Sequence, residues 1–174
     1  VLDTSGKVSV FPVYEVNGDW DLSIGNVDFV GSVVIRGSVG SGFTIKAEGD
    51  IEVYGSVDSS TLIANGNIII KRGVQGRGKC LLKCSGNLSA MFLENCEVEV
   101  GTDVIVQQAI MHSRVLAGRK VLLEGRKGLI VGGTIKAGDE VIAHELGAAL
   151  ATPTEIEVGL NPYLRTELYT LIKD

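Results

Sequence analysis

Three side chains capable of metal binding or proton transfer recur at one interval: Cys80, Cys96 and His112 lie sixteen residues apart in turn. Imidazole titrates near neutrality and can act as a general base, and thiolate with imidazole makes a zinc ligand set. A general base needs a substrate cleft and a carboxylate to orient the ring. No long loop that would build a cleft surrounds Ile110-Met111-His112-Ser113. His112 is therefore expected to be structural, bonding a backbone group or stacking on its neighbours. Three ligands at equal spacing would stack in a column along a repetitive fold, which makes a line and not zinc's tetrahedron. Cys84, four residues from Cys80, falls at another position of the same repeat. No catalytic residue, metal or cofactor is expected, and the cysteines read as small buried hydrophobes. Their odd number gives no disulfide framework and fits a reducing cytoplasm.

Charge is the second candidate. A net charge of −5 argues against a general nucleic-acid binder, whose affinity rests on basic groups facing phosphates. Yet residues 71–127 hold ten of the sixteen Lys and Arg against five acids, about +5, which leaves the remainder at about −10. The ten are Lys71, Arg72, Arg77, Lys79, Lys83, Arg114, Arg119, Lys120, Arg126 and Lys127. Stacked on one face they would form a basic stripe for an acidic protein, nucleic acid or anionic lipid. Spread out, they simply solvate the surface. Nucleic acid is the disfavoured partner, because Phe92 is the stretch's one aromatic and single-strand binders interleave several. Gly125–Gly133 lacks the Gly-Lys-Ser/Thr ending and the following helix of a phosphate loop, so it reads as a tight or bulged corner.

The elements that must position these residues are repetitive. Gly31-Ser32-Val33-Val34-Ile35-Arg36-Gly37-Ser38-Val39 aligns without a gap on Gly49-Asp50-Ile51-Glu52-Val53-Tyr54-Gly55-Ser56-Val57, and a third copy begins at Gly66. Looser copies begin at Gly86, Gly101, Gly118 and Gly138. The first core aliphatics are Val33, Ile51, Ile68, Leu88, Val104, Val121 and Val141, seven copies with a mean spacing of about 18 residues. Each copy is a Gly-containing turn followed by alternating aliphatics, the pattern of a half-buried strand. Such a unit buries its inner side only by stacking on its neighbours. The expectation is an all-β, parallel, three-sided β-helix of about seven to eight coils with 18 residues per coil. A six-residue spacing from Val33 through Val39, Ile45, Ile51 and Val57 to Ile63 is also that of left-handed hexapeptide helices. It breaks beyond Ile63, and parallel crossovers are generally right-handed, so the right hand is expected.

Three segments are expected: an N-terminal strand cap over residues 1–24, the solenoid over 25–159, and the start of a C-terminal helix over 160–174. The cap rests on alternation at Val8, Val10, Val13 and Val16 and a turn at Asn17-Gly18-Asp19. The helix rests on Asn161-Pro162 as a start signal, with Leu164, Leu168, Leu171 and Ile172 on one side. Without an initiator Met, the chain reads as a fragment whose last helix continues. No run of 18 apolar residues would span a membrane, and Val1-Leu2-Asp3-Thr4 does not open a signal peptide.

With the repeats aligned, the segment from Val13 to Gly159 resembles the β-solenoid domain of the bacterial flagellar assembly protein A family. The matching residues are Pro12 to Asp19, Gly25 to Gly37, Gly49-Asp50-Ile51-Glu52-Val53, Ile110 to Ser113 and Gly125 to Gly133. The resemblance implies a right-handed β-helix and a non-enzymatic, cytoplasmic role in flagellar biogenesis, at the cell pole, through protein partners. Bactofilins, which polymerise, share the glycine-and-valine repeat more distantly. Two alternatives are therefore carried: a self-polymerising solenoid that associates through its ends or its C-terminal helix, and a hexapeptide-type acyltransferase using His112. Irregular coils count against the second alternative, and the capped ends against the first.

Overall fold

The computed structural model describes residues 12–147 and 153–159. Among the described residues there are sixteen strands, no helix, and only parallel pairings, and every strand joins one continuous sheet. The chain is a parallel β-solenoid of about eight coils. The C-terminal helix over 160–174 and the first part of the strand cap lie outside the described residues.

The pairings resolve into three ladders, each with one residue per coil. The first runs Tyr14, Val33, Ile51, Ile68, Leu88, Val104, Val121, Val141. From Val33 onward it joins, in register, the seven repeat positions that the sequence spacing picks out. The second runs Trp20, Val39, Val57, Val74, Leu93, Ile110, Ile130, Leu146. The third runs Val27, Ile45, Leu62, Leu82, Val98, Val115, Ile135, Ile156. From the second coil to the seventh, all eighteen of these side chains are at most 1 % exposed. Burying each aliphatic contributes about 1.5–3 kcal/mol, which is why the inner positions alternate so regularly with outer ones.

The six-residue spacing fails at its last member. Val33, Val39, Ile45, Ile51 and Val57 all face the core, but Leu62 occupies the next inner position and Ile63 points outward. The third coil makes its bend between the second and third ladders one residue shorter than the second coil does. Coil length therefore varies at the bends while the ladders keep register.

Bends are held by a side-chain ladder of their own. Strand ends leave N–H groups between coils, and a short polar side chain in the neighbouring coil accepts them. The Asp50 N–H donates to Ser32 Oγ (3.0 Å), Asn67 N–H to Asp50 Oδ1 (2.7 Å), Asn87 N–H to Asn67 Oδ1 (2.8 Å) and Asp103 N–H to Asn87 Oδ1 (3.1 Å). The adjoining glycines follow from this. A Cβ on Gly66 would strike the Asp50 carboxylate, and one on Gly86 the Asn67 amide oxygen. The Gly-Asp and Gly-Asn pairs of the repeat thus encode one contact between coils. Lys120 ends the series and pairs with Glu140 of the next coil at 3.0 Å.

The two ends of the described solenoid differ. In the first coil three aromatics cluster: Tyr14, itself 37 % exposed, lies 6.0 Å from Trp20 and 5.7 Å from Phe29, and Trp20 is 1 % exposed. Val13–Val16 pairs in parallel with Ser32–Ile35, so this strand is itself the first rung of a ladder. In the eighth coil the aliphatics Leu146 and Val158 are 62 % and 47 % exposed.

Candidate interaction surfaces

Alternation along each strand sends every second side chain outward, so the stacked coils generate outer rows as well as inner ones. The outer row of the first ladder is Glu15, Val34, Glu52, Ile69, Ser89, Ile105, Leu122, Ile142. Five of its eight members are aliphatic; four are partly exposed and Ile142 is exposed. Glu52 and Ser89 interrupt the row, and its uninterrupted apolar run is Ile105, Leu122 and Ile142. A parallel sheet is normally covered on both sides, so such a run is a candidate contact surface. Beside this row, at the bend into the second ladder, Arg36 stacks on the Tyr54 ring at 4.6 Å, with Lys71 at 5.8 Å from the same ring. Arg36 also donates to Glu15 at 3.0 Å, and that hydrogen bond raises its guanidinium further above its ordinary value. Arginine and tyrosine beside a strip of aliphatics are side chains that dominate protein interfaces.

The outer row of the third ladder has another character: Asp28, Lys46, Ile63, Lys83, Glu99, Leu116, Lys136, Glu157. Opposite charges meet between coils, Lys83 with Glu99 at 3.9 Å and Lys136 with Glu157 at 3.7 Å. Next to this row, Arg114 meets Glu97 at 3.6 Å.

The ten basic residues do not share one side. Lys71, Arg72, Arg126 and Lys127 sit at the bend between the first and second ladders, beside the apolar row. Arg77 and Lys79 lie at the next bend, where Arg77 meets Asp58 at 3.7 Å. Lys83 and Arg114 belong to the third ladder's ion-paired strands. Arg119 pairs with Asp139 at 3.7 Å and Lys120 with Glu140. Five of the ten are thus held by acids of a neighbouring coil.

The expected column of Cys80, Cys96 and His112 is corrected. Cys80 and Cys96 do pair in register. The next member is Ser113, whose hydroxyl accepts the Cys96 N–H at 3.2 Å and itself donates to the Met111 carbonyl at 2.9 Å. His112 makes the bend in the left-handed region, φ 48°, and its side chain is exposed. The coil here is seventeen residues from Leu93 to Ile110, so a sixteen-residue step lands one short. Asn95 makes the same bend one coil earlier at φ 51°. Burial pushes the Cys84 thiol up to about 11. The neighbouring Cys96 side chain holds the Cys80 thiol below the ordinary range, and Cys80 together with burial drives Cys96 far above it.

Gly125–Gly133 covers a bend and the first part of the nine-residue strand Leu129–Ala137, and Gly128, Gly132 and Gly133 take positive φ. A feature not singled out from the sequence is the bend Gly76-Arg77-Gly78-Lys79. It spends four residues between Gln75 and Cys80 where the next coil spends only Asn95. With Ser41, Phe43, Thr44, Ser59 and Thr61 it borders an open depression of about 610 Å³. The signal was the 20-residue step from Ile68 to Leu88.

No helix among the described residues is long and apolar enough to cross a membrane, and no group of three or more His, Cys, Asp or Glu among them is placed to hold a metal ion. The family model described as Flagellar Assembly Protein A beta solenoid domain matches residues 12–174. No curated protein and no solved structure matches the chain.

Proposed function

This chain belongs to the Flagellar Assembly Protein A β-solenoid family, and from that premise we propose that it is a non-enzymatic, cytoplasmic scaffold that seats a protein partner on its first ladder's outer side during flagellar assembly. The observation that carries the reading is the apolar run Ile105, Leu122 and Ile142 of the first outer row, with Val34 and Ile69 farther along it and the Arg36–Tyr54–Lys71 stack beside it. A rigid rod presents such a row at a fixed repeat, which suits an extended or helical partner with apolar side chains at matching intervals. Lys71, Arg72, Arg126 and Lys127 along the same edge favour acidic residues on the partner's flank. Three ladders per coil support a three-sided cross-section, and the general chirality of parallel crossovers supports the right hand.

Deleting the gene in a flagellated host and complementing with His112→Ala separates scaffold from enzyme. Loss of flagella on deletion, with full restoration by His112→Ala, is expected; failure of His112→Ala with normal protein levels would turn the reading toward catalysis.

A second reading, head-to-tail polymerisation, is favoured by the exposed Leu146 and Val158 of the eighth coil. The buried Trp20 and its aromatic neighbours in the first coil rank it lower. Sedimentation velocity of the full chain distinguishes them: species that lengthen with concentration and vanish in Leu146→Glu would support polymerisation.

A further inference from the structure

Cys80 and Cys96 occupy equivalent positions of adjacent coils, in register across one pair of parallel strands, and both side chains point inward. Neighbouring strands lie about 4.8 Å apart, within the about 4.4–6.8 Å that a disulfide requires between Cα atoms. The Cys96 thiol itself donates to the Glu94 carbonyl at 3.2 Å, so its sulfur is held beside the Cys80 strand. They also line, with Gly78, Asn95, Glu97, His112 and Arg114, a depression of about 270 Å³. Cys80 and Cys96 are 4 % and 5 % exposed, so a bulky reagent meets little sulfur surface. The depression nonetheless has room for several molecules of water's size, about 30 Å³ each. Cys84 provides the contrast within the same protein: its partners in register are Ala64 and Val100, so no second thiol faces it.

We infer that Cys80 and Cys96 form a peroxide-responsive dithiol that closes to a disulfide between the fourth and fifth coils. The Cys80 thiolate attacks one oxygen of hydrogen peroxide, the O–O bond breaks, hydroxide leaves, and Cys80 becomes a sulfenic acid. The Cys96 sulfur then attacks the Cys80 sulfur, forming the S–S bond and expelling the oxygen, which departs as water with the Cys96 proton. Two thiols lose two electrons and one peroxide becomes two waters. Cys80 is the attacking sulfur because the Cys96 thiol is engaged in donating its proton to the Glu94 carbonyl at 3.2 Å. In a reducing compartment the bond is transient and marks oxidative conditions. It would also fasten the one bend that carries the inserted Arg77-Gly78-Lys79 residues.

The test is peptide mapping of the full chain after exposure to hydrogen peroxide, quenching, and alkylation in denaturant, with cleavage after Glu94 to separate Cys84 from Cys96. The expected result is a chain about 2 Da lighter, with Cys80 joined to Cys96, Cys84 alkylated, and full reversal by dithiothreitol. In Cys96→Ser the bond is lost and Cys80 gains oxygen instead. Persistent alkylation of both thiols would overturn the inference, as would a bond to Cys84, a bond between two chains, or oxygen added to Cys80 of the unsubstituted protein without a crosslink. The mapping on the unsubstituted protein stands whether or not Cys96→Ser folds.

Discussion

The first and third ladders are built alike on the inside and differently on the outside. Both bury a β-branched or leucine side chain in every coil from the second to the seventh at no measurable exposure. Outside, the first presents Ile69, Ile105, Leu122 and Ile142, whereas the third presents Lys83 against Glu99 and Lys136 against Glu157. Folding requires only the inner rows and the bends, so the outer rows are free to carry whatever the surface must do. On the third ladder, alternating charge keeps an exposed sheet solvated at little energetic consequence. On the first, four aliphatics are partly exposed and Ile142 is exposed, beside an arginine–tyrosine stack. That difference is the ground for proposing the first outer row as the surface that seats a partner.

The largest expected effect is one that both ladders share. Ile68→Ala and Leu82→Ala, each in a fully buried row, should each lose about 2–5 kcal/mol by chemical denaturation. Markedly unequal losses would mean that the two inner rows are not equivalent. Next comes the bend that joins the third ladder to the first. Gly66→Ala sets a methyl against the Asp50 carboxylate that holds the Asn67 N–H and should cost about 1–3 kcal/mol. Gly18→Ala, with nothing within 4 Å of the new methyl, should stay within about 0.5 kcal/mol. Smaller still are the outer rows. Lys83→Gln, which breaks an exposed ion pair, should change stability by about 0–1 kcal/mol, and less in high salt. Leu122→Glu should stay within about 1 kcal/mol, since an outer position of a sheet tolerates most side chains. A large loss of stability from Leu122→Glu would show that the row is structural and sharpen the contrast the wrong way.

Most of the fold was legible because the inner positions repeat. The seven aliphatics from Val33 to Val141 align in the sequence and pair in register in the structure, since stacking rewards identical positions. Bend lengths were less legible. Ile63 and Leu62 are both good core residues, and only the length of the preceding bend decides which one turns inward. The same uncertainty misplaced His112 by one residue, because the bend there takes one left-handed residue where an earlier coil takes four, and the spacing alone does not say which residue makes it. The basic residues were visible as a cluster in the sequence but not as a surface. Consecutive bends of a solenoid point in different directions, so neighbours such as Lys71 and Arg77 fall on different sides. The apolar outer row was hidden for the complementary reason: its members are about a coil apart and each sits between two core residues, where an aliphatic draws no notice.

The most direct measurement counts flagella per cell in a host lacking its own copy of the gene, complemented with one of two double variants at matched protein levels. Ile105→Glu with Leu122→Glu charges the first outer row, and Lys83→Gln with Lys136→Gln neutralises the third. Loss of flagella in the first with normal numbers in the second is expected. Normal flagellation with the charged first row, or equal loss in both, would contradict the assignment of that row as the surface on which a partner is seated.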